Sequence, residues 1–91
     1  MKHNEKTVEI VYVPFPKGKI HGAVTECTDK YLIVIDSDCC KLQQYSALGH
    51  ELAHVFLNHF DSNKPIIEAE TEARARTWEF YRAYRNGTLP A

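Results

Sequence analysis

The hydrophobic pattern of this chain changes period once, and that change restricts what it can fold into. Up to Ile35 the apolar residues fall in short, β-branched runs, TVEIVYV at 7–13, KIHGAVT at 19–25 and YLIVID at 31–36. Pro14-Phe15-Pro16-Lys17-Gly18 and Thr28-Asp29-Lys30 separate them as turns. Beyond Asp36 the apolar positions Tyr45, Leu48, Leu52, Val55 and Phe56 recur at three- and four-residue steps, the spacing of one helix face. Strands followed by helices predict an α+β fold in one domain over 1–91. The simplest arrangement is a three-stranded, mainly antiparallel meander followed by two helices. Asp36, Ser37 and Asp38 offer N-cap oxygens for a first helix over about 39–59. Asp61-Ser62-Asn63-Lys64-Pro65 breaks it, and a second helix runs from Pro65 to Asn86-Gly87 with Ile66, Ala69, Ala73, Thr77, Phe80 and Tyr84 as its inner stripe.

A chain of 91 residues has a thin core, burying about 60 to 65% of its unfolded surface. A bound metal or a partner would add stability that such a core supplies poorly. With 44% hydrophobic residues, 25% charged residues and a net charge of −1, nothing global points to nucleic acid or a membrane. The start MKHNEKTVEI has no apolar signal region, and the longest purely apolar run is LIVI, which places the expected protein in the cytoplasm. Cys27, Cys39 and Cys40 are odd in number and lack CxxC spacing, which suits free thiols in a reducing compartment.

The chemistry is concentrated in LGHELAHVFLNHF, residues 48–60. On a helix, His50 and His54 share a face with Cβ atoms about 5 to 6 Å apart, so both imidazoles can reach one zinc ion about 2.0 to 2.1 Å away. Glu51, one step round, borders the same place and could move a proton from water to a leaving amine. Gly49 costs about 1 kcal/mol inside a helix, which suggests that something passes close to the backbone there. Shuffling this composition produces HExxH in only about 2% of sequences. An intermediate alternative is a structural zinc site completed by Cys39, Cys40 or His59.

A hydrolytic zinc takes three protein ligands and keeps one position open. The third is not a histidine in the metzincin register, because positions 57 and 60 are Leu57 and Phe60 and His59 is one place out. The segment IIEAETEARARTWEFY offers Glu68, Glu70, Glu72 and Glu79 instead. At 100° per residue, Glu70 flanks the inner stripe while Glu68 and Glu72 lie toward solvent. Glu70 is the first choice and Glu72 the second.

With YLIVIDSD, LGHELAHVFLNH and Glu70-Thr71-Glu72-Ala73 in place, residues 31 to about 81 resemble the ImmA/IrrE family of small zinc metallopeptidases, a gluzincin-like group. After the E-x-E-A pattern this chain has Arg76 and Thr77 where the family usually has an aromatic residue and alanine. The resemblance implies His50, His54 and Glu70 as zinc ligands and Glu51 as general base. It also implies endopeptidase activity on a protein substrate, often a repressor from the same mobile element.

A zinc-dependent endopeptidase is therefore the expected function, and a zincin-like binding module that uses zinc structurally and grips a partner is the alternative. Tyr81, Tyr84, His59 and His21 are candidate donors to an oxyanion. An extended substrate could add to a free sheet edge, for which YLIVI is the candidate. Arg74, Arg76, Arg82 and Arg85 read as a solvated basic face.

Overall fold

In the computed structural model, which describes residues 1–18 and 20–90, the chain runs β1 (Lys2–His3), β2 (Lys6–Val13), β3 (Gly22–Glu26), β4 (Lys30–Asp36), α1 (Lys41–Phe56), α2 (Ile66–Ala75) and α3 (Thr77–Asn86). The α+β class is as expected, but the three-stranded meander is not what forms. The sheet has four strands in the order β1-β2-β4-β3 and is mixed. β4 lies parallel to β2, from Thr7 opposite Lys30 to Val13 opposite Asp36, and antiparallel to β3, from Gly22 opposite Ile35 to Glu26 opposite Tyr31.

Composition explains the order. A central strand is covered on both faces and reads as a continuous apolar run. KYLIVID is such a run, with Tyr31, Ile33 and Ile35 buried and Leu32 and Val34 half-buried. GAVTE, weakened by Gly22 and mostly exposed, takes the edge instead. YLIVI is therefore central rather than free, and the open edge beside the helices is β3. The expected strand over 19–25 begins at Gly22, and Lys19 lies outside the described residues. β1 was too short to be legible; Asn4 and Glu5, at φ 51° and 65°, form the two-residue turn that folds it back onto β2.

α1 falls inside its expected range, but its start is held differently. Cys40 occupies the N-cap without a side-chain bond. The Asp36 carboxylate instead accepts from the backbone N–H groups of Phe15 at 3.2 Å and Asp38 at 2.9 Å. Gln44 reaches back from the first turn to donate to the carbonyls of Asp36, Ser37 and Cys39, at 3.2 to 3.3 Å. Asp36 thus ties the β2 exit to the helix entry.

The Asp38 N–H, with burial opposing and the Phe15 N–H and His21 assisting, holds the Asp36 carboxyl below the usual aspartate range. A carboxyl with a depressed folded value stabilises fully above its ordinary pKa near 4 and ceases to do so as pH falls through the lowered value. Asp36→Ala is expected to lower the thermal unfolding midpoint at neutral pH, and the gap from the native chain is expected to close in acid. An unchanged gap from pH 7 to pH 2 would contradict this account.

The single second helix expected from Pro65 onward is two helices. They meet at Arg76, whose φ of −109° and ψ of 12° leave the helical region, while the Thr77 hydroxyl donates to the Ala73 carbonyl at 3.0 Å. Beyond the break Thr77 and Phe80 of the expected stripe are still buried, joined by Tyr81, while Tyr84 in the last turn of α3 is 37% exposed. Ile66 is 81% exposed at the first residue of α2, so the proposed stripe begins at Ala69. The core joins Tyr31, Ile33 and Ile35 of β4 to Leu48, Leu52, Ala53 and Val55 of α1 and to Ala73 and Phe80. Among the described residues, no helix is long and apolar enough to cross a membrane.

Candidate metal centre

The sixteen-residue α1 carries His50, Glu51 and His54 in its C-terminal half, His54 in the last turn. One turn apart, the two histidines bring their Nε2 atoms within 3.1 Å of each other. Glu70 reaches them from α2, with Oε2 3.0 Å from His50 Nε2 and Oε1 2.9 Å from His54 Nε2. That reach depends on small residues between the helices: Ala69 and Ala73 are the buried positions of α2. It also depends on α3, which passes so close that a Cβ on Gly49 would lie 2.2 Å from the Thr77 carbonyl oxygen. The glycine expected to accommodate a close approach does so against a backbone.

Two imidazole nitrogens 3.1 Å apart, each met at 2.9 to 3.0 Å by one of the two oxygens of the same carboxylate, form a cluster able to surround a single ion at about 2.0 to 2.1 Å. Burial, and then the neighbouring His50, lower the His54 pKa and favour the neutral imidazole, the form with a lone pair to give. The donors present thus fit zinc in number, type and spacing. His50, His54 and Glu70 are one of two such groupings among the described residues; the other is His21, Asp36 and Cys39. There the Cys39 thiol donates to the Asp36 backbone carbonyl at 3.3 Å. Neither Cys39 nor Cys40 joins the histidines of α1, and all three cysteines are free.

Glu51 is 8% exposed. Its Cγ would be 3.5 Å from a Cβ on Gly22, so the start of β3 lies directly over it. Burial, reinforced by the negative charge of Glu70, pushes the Glu51 carboxyl up to about 7. Two hollows open on either side. The larger, about 680 Å³, is bordered by His21, Gln43, Arg74 and His50. The smaller, about 280 Å³, is more apolar, with Val24, Phe60, Ile66 and Ala69 in its wall. Glu51 and Glu70 line both.

The other candidates disperse. Glu68 is exposed on α2, away from the donors. Glu72 turns to His59 and Lys64, with Oε1 2.6 Å from His59 Nε2 and 2.8 Å from Lys64 Nζ. Those hydrogen bonds, His59 first, hold its carboxyl down at about 2. Of the four proposed oxyanion donors, His21 borders the larger hollow beside Glu51 and His59 the smaller. Tyr81 is buried against Tyr45, and Tyr84 lines a separate hollow with Met1 and Leu89. His59 lies behind His54, Nδ1 to Nδ1 at 2.8 Å. Of the arginines, Arg74 lines the cleft, Arg76 pairs with Glu79, and Arg82 and Arg85 are exposed.

The place of His59 escaped the sequence, although one signal was present. Asn58, just past α1, belongs to a residue type that tolerates left-handed backbone and adopts φ 59° here. Its turn sends the next side chain back along the helix.

Two histidines and a glutamate are the ligand set of one class of zinc peptidases. Residues 4–84 match the Peptidase_M78 family, the IrrE N-terminal-like domain, and the chain belongs to that metallopeptidase family. Searches of curated proteins and of solved structures each return no match.

Proposed function

We propose that this chain is a zinc-dependent endopeptidase that cleaves a protein or peptide substrate, with His50, His54 and Glu70 holding the ion and Glu51 moving the proton. The observation that carries it is the convergence of the two imidazole Nε2 atoms, 3.1 Å apart, on one carboxylate whose two oxygens lie 2.9 and 3.0 Å from them, beside a glutamate that lines the cleft. When bound, the ion supplies Lewis acidity, polarising the scissile carbonyl and acidifying water. Glu51 takes a proton from the water that attacks the carbonyl carbon and returns one to the amide nitrogen as the C–N bond breaks. Its burial under Gly22 restricts the carboxyl to few rotamers, which shortens the search for productive geometry.

An extended substrate segment pairs with the open edge of β3, whose strand starts over Glu51 and whose Val24 reaches the second hollow. A repressor or regulator of a mobile element with an exposed segment of this kind is the proposed partner, and the cytoplasm the proposed site of action. Elemental analysis of the purified protein tests the centre. We expect one zinc per chain, lost in His50→Ala, depleted in Glu70→Ala and retained at full stoichiometry in Glu72→Ala. Zinc in equal amount in His50→Ala would overturn the assignment.

A further inference from the structure

Behind the three donors runs a chain of polar contacts that the proposed chemistry does not use. His54 Nδ1 lies 2.8 Å from His59 Nδ1. His59 Nε2 lies 2.6 Å from Glu72 Oε1, and the same oxygen accepts from Lys64 Nζ at 2.8 Å. The His59 side chain is only 5% exposed.

The protons in this chain can be placed from donor and acceptor capacity. A carboxylate only accepts, so His59 Nε2 carries the hydrogen it shares with Glu72. In neutral His59 the other nitrogen, Nδ1, is then an acceptor. It faces His54 Nδ1, which must donate. Neutral His54 therefore has its hydrogen on Nδ1 and an unshared pair on Nε2, the atom that faces His50 and Glu70.

From this geometry we infer that His59, anchored by Glu72 and Lys64, is a positioning residue that holds His54 in the one tautomer and ring orientation able to bind a metal through Nε2. The inference rests on His54 being a ligand. A histidine ligand usually donates its second N–H to an oriented acceptor, and removing such an acceptor costs about 10- to 100-fold in metal affinity. Here the acceptor is itself a histidine, fixed in turn by a carboxylate from the helix that also carries Glu70.

The rest of the fold keeps His59 in place. Asn58, in the left-handed region at φ 59°, turns the chain so that the next side chain lies along α1, and the His59 N–H donates to the His54 carbonyl at 3.1 Å. The Asn58 carboxamide oxygen accepts from His3 Nε2 at 2.7 Å and from Asn4 Nδ2 at 2.9 Å. The β1–β2 hairpin therefore braces the turn that presents His59.

Zinc affinity by competition with a chelator of known strength, together with proton NMR of the zinc-loaded protein, tests this. The native chain should show a slowly exchanging, downfield Nδ1–H signal from His54. His59→Ala should bind zinc 10- to 100-fold more weakly and lose slow exchange at that signal. His59→Asn, which places an amide oxygen where Nδ1 was, should recover most of the affinity. Glu72→Gln, a change at a half-exposed position that leaves the fold intact, should weaken binding severalfold. Unchanged affinity and unchanged exchange in both His59→Ala and Glu72→Gln would overturn the relay while leaving the metal centre standing. A native chain that takes up no zinc would instead sink the centre itself, and the relay with it.

Discussion

Glu51→Gln is expected to bind zinc as the native chain does and to hydrolyse peptide bonds at least about 100-fold more slowly, the lower end of what a positioned acid–base group contributes. The amide has the shape of the carboxyl, so the packing under Gly22 is kept. None of the three converging donors belongs to Glu51, so the ligand set is untouched. What disappears is the ability to accept a proton from water and to release it to the departing nitrogen. The measurement is cleavage of a peptide library by both proteins at matched zinc content, with a chelator control. Equal rates would end the proposed role of Glu51. Zinc uptake with no cleavage by either protein would favour a module that grips its partner without cutting it.

The second large effect is expected from one methyl group. Gly49→Ala places a carbon 2.2 Å from the Thr77 carbonyl oxygen, 3.1 Å from the Thr77 carbonyl carbon and 3.0 Å from Tyr81 Cβ. No rotamer relieves this, since a Cβ has none and the nearest atom is backbone. α3 has to move away from α1. Overpacking of this kind costs about 3 kcal/mol or more, against a total of about 5 to 10 kcal/mol for a domain this small. The helix-propensity gain of about 1 kcal/mol from glycine to alanine has the opposite sign and is smaller. A fall of at least about 8 °C in the unfolding midpoint is expected, from a net cost of about 2 kcal/mol or more at about 4 to 8 °C per kcal/mol. A midpoint equal to or above that of the native chain would mean that the close approach does not exist.

These two residues also mark what could be read before folding. Gly49 was legible because a glycine inside a helix has an energetic cost that calls for a reason, although the partner, the Thr77 carbonyl, was not. His50 and His54 needed only the helical repeat. Glu70 needed the phase of α2, whose buried positions are Ala69 and Ala73. Thr77 and Phe80 kept the expected stripe beyond the break at Arg76, and only Tyr84, in the last turn of α3, departed from it. The sheet order was not legible, because a parallel pairing such as β2 with β4 is set by long-range packing rather than by any turn sequence. His59 stayed ambiguous for a related reason: its orientation depends on Asn58 being gripped by His3 and Asn4, at the other end of the chain.

The position of β4 between two strands that both precede it makes the sheet indivisible. No cut between residues 6 and 36 leaves β4 with both neighbours on one piece, and α1, with its two imidazoles, follows directly from the end of that strand. A nick between β2 and β3 would therefore detach β2, one of the two strands that flank the strand supporting the helix. The sheet is less a platform on which the helices rest than a clamp whose two jaws close from earlier in the chain.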